Sequence, residues 1–251
     1  MSGRGGALVT GGARRIGRAV ALAAAEAGYD VAIHCRASEA EADELAGRIQ
    51  GMGRRAAVVT ADLAGMAQVQ ALASEAAEAV GPLTLLVNNA SIFQDDRIGS
   101  LEPELWDAQM AVNLRAPVLL AQAFAAQLPD GAEGLIVNLL DQRVLKPDPR
   151  FFSYGLSKAA LWTATRTLAQ ALAPRIRVNG IGPGPTLPSI HQTPEAFAEE
   201  AKAVLLERRA APEDIAQALR YLIEARQVTG QMIAVDGGQH LAWRTPDIPE
   251  D

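Results

Sequence analysis

Tyr154 and Lys158 stand four residues apart in Phe151-Phe152-Ser153-Tyr154-Gly155-Leu156-Ser157-Lys158, just inside an Ala- and Leu-rich run. Positions i and i+4 share a helix face, so a phenol and an ammonium are side by side there. A cation beside a phenol favours the phenolate, and is expected to pull Tyr154 below its reference pKa of about 10 and make it a proton donor or acceptor usable near neutrality. By itself such a pair is more often two residues of a solvated helix face. A second stretch changes that balance: Gly11-Gly12-Ala13-Arg14-Arg15-Ile16-Gly17 directly follows the apolar run Ala7 to Thr10 and opens an Ala-rich helix ending near Gly28. A strand, a glycine turn and a helix N-terminus in that order present backbone N–H groups to a pyrophosphate.

The elements that position these residues follow from periodicity. Strands are expected at Asp30 to Cys35, Ala56 to Thr60, Leu83 to Asn88, Gly134 to Leu140, Arg175 to Ile181 and Gln231 to Val235. Between them fall helices at about Ser38 to Gln50, Ala67 to Val80 and Pro103 to Gln127, the last carrying Asn113. The Tyr154/Lys158 helix should stop before Pro174, and two more should run from about Pro194 to Arg208 and Pro212 to Glu224. Repeated βα units with strands buried on both faces imply a single-domain α/β fold over residues 1–251, an open doubly wound parallel sheet with helices on both faces. Its ligand crevice lies beyond the C-terminal strand ends, where the segments 11–17, 88–93, 141–154 and 182–194 gather. Residues 183–210 form the expected substrate-loop region and 239–251 an irregular tail.

Composition narrows the class. The 251 residues are 49% hydrophobic, enough for one sizeable core, and the formal net charge of -6 with scattered Lys and Arg argues against a nucleic-acid or anionic-membrane surface. The single cysteine, Cys35, excludes an intrachain disulfide and reads as a small buried hydrophobe. With no apolar run near the ~20 residues of a membrane span, a soluble cytoplasmic protein is expected. His34, His191 and His240 lack metal-ligand spacing, so no metal is expected, and His191 reads as a surface-loop residue. The acidic group Glu39, Glu41, Asp43 and Glu44 reads as a solvated face and first-turn charge.

Thr10-Gly11 through Ile16-Gly17, Asp62-Leu63, Asn88-Asn89-Ala90, Asn113, Tyr154-x-x-x-Lys158 and Gly182-Pro183-Gly184 together resemble the short-chain dehydrogenase/reductase family over nearly the whole chain. The resemblance implies that Tyr154 is the proton donor, that Lys158 is its electrostatic partner and binds the nicotinamide ribose, and that Asn113 holds a water-linked proton path. The expected cofactor contacts are Gly11, Arg15, Ile16, Gly17, His34, Asp62, Leu63, Asn89, Ala90, Pro183 and Gly184, and the resemblance implies a homotetramer. Two departures, Arg15 at the central glycine of the turn and Asp141 at the usual catalytic serine, resemble the pteridine reductase and dihydromonapterin reductase subgroup. By that resemblance Arg15, Ser91, Phe93, Asp141 and Tyr154 contact a pterin, with Phe93 stacking its ring.

The second strand ends His34-Cys35-Arg36-Ala37-Ser38, with no acidic residue to hold a ribose 2′-hydroxyl. Arg36 and Ser38 suit a 2′-phosphate instead, which makes NADPH the expected cofactor, with Arg14 either adding charge there or standing as a solvated helix-entry residue. An ionised Asp141 can only accept hydrogen bonds and would repel the negative charge that develops in ketone reduction. It either shares protons with Tyr154 as a coupled pair, or orients a substrate rich in N–H donors, or is simply a turn aspartate. The leading expectation is therefore NADPH-dependent hydride transfer to a C=N bond of a dihydropterin. Reduction of a ketone or aldehyde is the alternative, and a non-catalytic dinucleotide sensor is the third.

Overall fold

The computed structural model describes residues 4–188 and 193–243. Seven strands form one parallel sheet in the order β3-β2-β1-β4-β5-β6-β7, with β1 at Gly6–Val9, β2 at Asp30–Cys35, β3 at Ala56–Thr60, β4 at Leu83–Asn88, β5 at Gly134–Leu139, β6 at Ile176–Pro183 and β7 at Met232–Val235. Strand order reverses between β1 and β4, which opens a crevice beyond their C-terminal ends.

Both sheet faces are covered, as near-continuous apolar strands require. Ala7 and Val9 of β1 point to a layer made by α1 (Arg15–Glu26), α2 (Glu39–Gly51) and α8 (Pro212–Glu224). Leu8, between them, points to the opposite layer with α3 (Met66–Val80), α5 (Ala116–Gln127) and Ala169 of α6 (Phe152–Leu172). Phe124, Leu120, Leu72 and Ile136 are fully buried in the second layer, so the helix bearing Tyr154 rests on a packed base.

Asn88 and Asn138 face each other across β4 and β5, Asn88 Nδ2 donating to Asn138 Oδ1 at 2.8 Å. Asn138 Nδ2 donates in turn to Thr165 Oγ1 on α6 at 2.9 Å, and Thr165 donates to the Leu161 carbonyl at 2.8 Å.

The clearest departures from expectation are in two helices and one strand. The helical region carrying Asn113 is not uniform: α4 (Pro103–Met110) and α5 are joined by a wide π turn at Ala111–Arg115. The helix expected to reach Arg208 ends as α7 (Pro194–Lys202), because the following turn docks elsewhere: Leu206 N–H donates to the Gly237 carbonyl and Val204 packs where a Gly237 side chain would stand. Strand β6 runs on to Pro183, carried by its pairing of Gly182 with Ala234 and Pro183 with Val235. Among the described residues no helix is long and apolar enough to cross a membrane.

Candidate active site

The glycine turn is held by side chains of three strands. Thr10 Oγ accepts from the N–H groups of Asn89 at 2.9 Å and Ala90 at 3.0 Å, while Asn89 Nδ2 donates back to the Thr10 and Gly11 carbonyls. The Gly11 N–H donates to His34 Nδ1 at 3.1 Å, which leaves the ring proton on Nε2 to donate to the Ala61 carbonyl at 3.0 Å. Burial holds the His34 pKa below its ordinary value, so the neutral tautomer this bridge needs is the favoured one.

The turn leaves no room for side chains at its close approaches. A Cβ on Gly17 would stand 2.0 Å from the Gly11 carbonyl oxygen. Arg15 takes a left-handed conformation with φ of 54°, a strain that clusters at functional sites, and its guanidinium donates to the carbonyls of Leu187 and Pro188. Helix α1 begins without a side-chain cap or an acidic first-turn residue, so its first N–H groups and positive dipole end stay available to an anion.

Around this turn lies a cleft of about 440 Å³, lined by Gly11, Arg14, Arg15, Ile16, Gly17, His34, Arg36, Ser38, Asp62, Leu63, Asn89, Ala90 and Ser91. Sequence positions as far apart as Gly11 and Val112 thus meet in one groove. At its far end Arg36 is exposed and has no ion pair or hydrogen-bond partner among the described residues, whereas Arg14 pairs loosely with Glu41 at 3.4 Å. Glu44 pairs with Arg18, so two members of the acidic cluster answer arginines at the start of α1, one just before it and one in its first turn. Pro183 and Gly184 do not line the cleft. They lie where β6 meets β7, and a Cβ on Gly184 would collide with the Asp236 backbone.

A second cluster sits where β5 ends and α6 begins. Tyr154 donates from its phenol to Asp141 Oδ2 at 2.8 Å. Asp141 caps the short 3₁₀ turn 142–144, accepting from the Arg143 N–H at 2.8 Å and from its guanidinium at 3.2 Å. Lys158 is buried and donates to the Leu139 carbonyl at 2.7 Å.

These contacts reverse the expected electrostatics of the pair. Lys158 spends its close contact on a carbonyl and lies 5.7 Å from the Tyr154 ring centre, and burial lowers its own pKa to about 8 against the opposing pull of Asp141. Tyr154 is not pulled down. Burial, the Asp141 charge and the bond to Asp141 push its pKa well above the ordinary phenol value, with Arg143 alone opposing. In this structure Tyr154 is a firmly protonated donor.

Asn113, on the π turn and fully buried, works as a clamp. Its Oδ1 accepts from the Ile92 N–H at 2.8 Å and from Ser91 Oγ at 3.1 Å, while Nδ2 donates to the Ile92 carbonyl and to Ser157 Oγ. π turns of this kind concentrate at functional sites. The clamp ties the loop after β4 to the helix of Tyr154. Phe93, on that loop, stacks on Phe151 with ring centres 4.2 Å apart and planes 8° from parallel, and meets Tyr154 edgewise at 4.7 Å.

Sequence reasoning passed over several residues that build this end. Asp96 is buried and accepts from both the N–H and the hydroxyl of Ser153, which fixes the first turn of α6, and Asp95 accepts from the Phe151 N–H at 3.1 Å. Arg143 and Phe151 escaped notice as well. The signal for the aspartates was present in Asp95-Asp96, but their targets lie 56 and 57 positions away and nothing local points to them. His191 lies outside the described residues. No group of three or more His, Cys, Asp or Glu residues suited to a metal occurs among the described residues.

A doubly wound sheet with a glycine turn at its switch point, beside a buried tyrosine, lysine and carboxylate, defines a dinucleotide-binding oxidoreductase. The family profile described as enoyl-(acyl carrier protein) reductase matches residues 11–240, and the chain belongs to the short-chain dehydrogenase/reductase family. A short-chain type dehydrogenase/reductase of Picea abies is 35% identical, covering 93% of this chain and 91% of its own. The 3-oxoacyl-[acyl-carrier-protein] reductase FabG of Staphylococcus aureus is 31% identical over 94% of this chain and 98% of its own. Among solved structures, FolM alternative dihydrofolate reductase 1 from Brucella suis in complex with NADP is 54% identical, with a TM-score of 0.94 over 97% of this chain and 98% of that one.

Proposed function

We propose that the protein is an NADPH-dependent reductase of a dihydropterin, with dihydrofolate among the candidate substrates. The observation that carries this reading is the Asp141 carboxylate held against Tyr154, whose ring in turn meets Phe93 edgewise. A ketone reductase needs hydrogen-bond donors around the carbonyl oxygen that gains charge, and a carboxylate there would oppose the reaction. An amino-pyrimidinone edge instead offers N–H groups that only an acceptor can satisfy, while its flat ring suits the face of an aromatic side chain. The similarity to the Brucella suis dihydrofolate reductase supports the same substrate class.

The residues present fit the cofactor. The crowding at Gly17 and the open start of α1 suit a pyrophosphate against backbone N–H groups, and Arg36, without a partner among the described residues and lining the same cleft as Ser38 and Arg14, suits a 2′-phosphate. When bound, NADPH supplies the hydride. Tyr154, firmly protonated and buried, gives its proton to the substrate nitrogen, Lys158 holds positive charge beside the phenol, and Asp141 orients the substrate through its N–H groups. The clamp at Asn113 keeps the loop of Ser91 and Phe93 in register with that helix.

The test is NADPH consumption with dihydropterins, dihydrofolate and simple ketones, comparing the parent with Asp141→Ser and Tyr154→Phe. Pterin turnover that both changes suppress supports the reading. No pterin turnover, together with ketone reduction that Asp141→Ser improves, rejects it in favour of a carbonyl reductase.

A further inference from the structure

Arg143 touches Asp141, Phe93 and Phe151 at the chemical end, yet no catalytic step requires it. Two of its N–H groups, one from the backbone and one from the guanidinium, bind the two oxygens of Asp141, and its side chain is 17% exposed. The guanidinium carbon is 5.5 Å from the centre of Phe93 and 5.5 Å from the centre of Phe151. Those rings are themselves parallel and 4.2 Å apart. A point equidistant from two stacked rings lies beside the stack and over neither face, so this contact is not a cation resting on a π cloud. It is a bracket on the edge of the pair.

The contacts close a ring: Arg143 binds Asp141, Asp141 binds Tyr154, Tyr154 packs edgewise on Phe93, Phe93 stacks on Phe151, and Phe151 returns to Arg143. We propose that Arg143 is the positioning residue of this site, fixing the carboxylate against Tyr154 and bracketing the Phe93–Phe151 stack, so that proton donor and stacking face are held as one unit. The inference rests on the reductase reading above and extends it to a residue that contacts no reacting atom. Among the described residues the buried Arg143 Nε has no hydrogen-bond partner, so the contacts to Asp141 and the packing of the side chain anchor the group. Other charges around it are Asp148 in the following loop, Lys158 on α6, and Asp236 with His240 at the turn packed against residues 142–144.

Loss of a charge-assisted hydrogen bond of this kind corresponds to a fall of roughly 10- to 100-fold. Arg143→Met is therefore expected to lower kcat for the pterin by about that factor, with Arg143→Lys restoring part of it. Phe151→Leu, which touches the stack and not the acid pair, should act mainly on KM. The decisive measurement is the double-mutant cycle with Asp141→Asn. If Arg143 acts through the carboxylate, Arg143→Met costs less than about 3-fold once Asp141 is asparagine. Independent losses in the cycle, or no recovery of activity with Arg143→Lys, would overturn the proposal. Should the parent reduce ketones and not pterins, the pterin reading fails separately and the same cycle is run on the ketone. Crystal structures of parent and Arg143→Met need no substrate at all: a reoriented Asp141 and a separated Phe93–Phe151 stack are expected, and an unaltered site would refute the role.

Discussion

Replacing Arg36 by alanine tests the cofactor end most directly. Its guanidinium is exposed at the C-terminal end of β2 and has no protein partner among the described residues, so no internal bond has to break before it meets a phosphate. A charge-assisted hydrogen bond is worth about 1.5–3 kcal/mol. Solvent screening at an exposed site favours the lower half of that range, about 1.5–2 kcal/mol, which is roughly a 10- to 30-fold weaker Kd for NADPH. NADH lacks the 2′-phosphate and should lose less than about 2-fold by the same accounting. Arg36→Asp should go further, since it repels a phosphate and can accept from a 2′-hydroxyl. Arg14→Ala should do less, because Arg14 is already shared with Glu41. Fluorescence titration of both nucleotides at fixed ionic strength measures the ratio. Equal losses for NADPH and NADH would show that Arg36 does not read the 2′ position, and the phosphate assignment would fall.

Other expectations follow from the same geometry. His34→Phe removes the bridge between Gly11 and Ala61, leaving two polar groups unmet at about 1–3 kcal/mol each, and should lower both Tm and nucleotide affinity. Because burial depresses the His34 pKa below 6.5, the unfolded chain takes up a proton that the folded chain resists, so stability falls as pH drops below that value. Melts at pH 7 and pH 5 should show a shallower fall in the variant. Lys158 titrates near 8 when folded and near 10.5 when unfolded, so its contribution makes stability rise with pH from 8 upward. Lys158→Met should abolish that rise while eliminating turnover, and the window from 8 to 9 is the one to measure, since Cys35 and then Tyr29 and Tyr154, all raised, oppose it at higher pH. Gly17→Ala forces a Cβ to within 2.0 Å of a carbonyl oxygen that cannot yield without moving the turn. Dinucleotide binding should drop by at least about 10-fold, in line with an overpacking cost of about 1–3 kcal/mol, and unchanged affinity would contradict the crowding argument.

The scaffold was legible because its signals are local. Asp30–Cys35, Ala56–Thr60 and Leu83–Asn88 are apolar runs bounded by helix signals, and they appear with those limits. What could not be read were contacts between distant segments. Asp96 capping Ser153 and Thr10 receiving Asn89 and Ala90 have no trace in spacing, and both depend on strand order. The Tyr154 electrostatics were misjudged for a related reason. Helical spacing places Lys158 near the phenol, but it cannot show that the ammonium is engaged by the Leu139 carbonyl while a carboxylate takes the hydroxyl. The π turn at Asn113 was hidden because the run after it, Ala116–Gln127, is apolar almost all round, so a shift of helical phase leaves no break in the pattern.

The line of amides from Asn88 through Asn138 to Thr165 has a consequence for how the chain finds its alignment. Strands buried on both faces, such as β4 and β5, carry no inside-outside alternation, so apolar packing alone says little about which residue should sit opposite which. A slip of one position there would exchange one leucine or valine for another at small cost. It would also separate Asn88 from Asn138 and strand their amides in the core, at about 1–3 kcal/mol for each group left unmet. Polar chemistry at one point therefore decides the alignment of a largely apolar pair, and with it the placement of the loops that follow each strand, one ending in Phe93 and the other in Asp141.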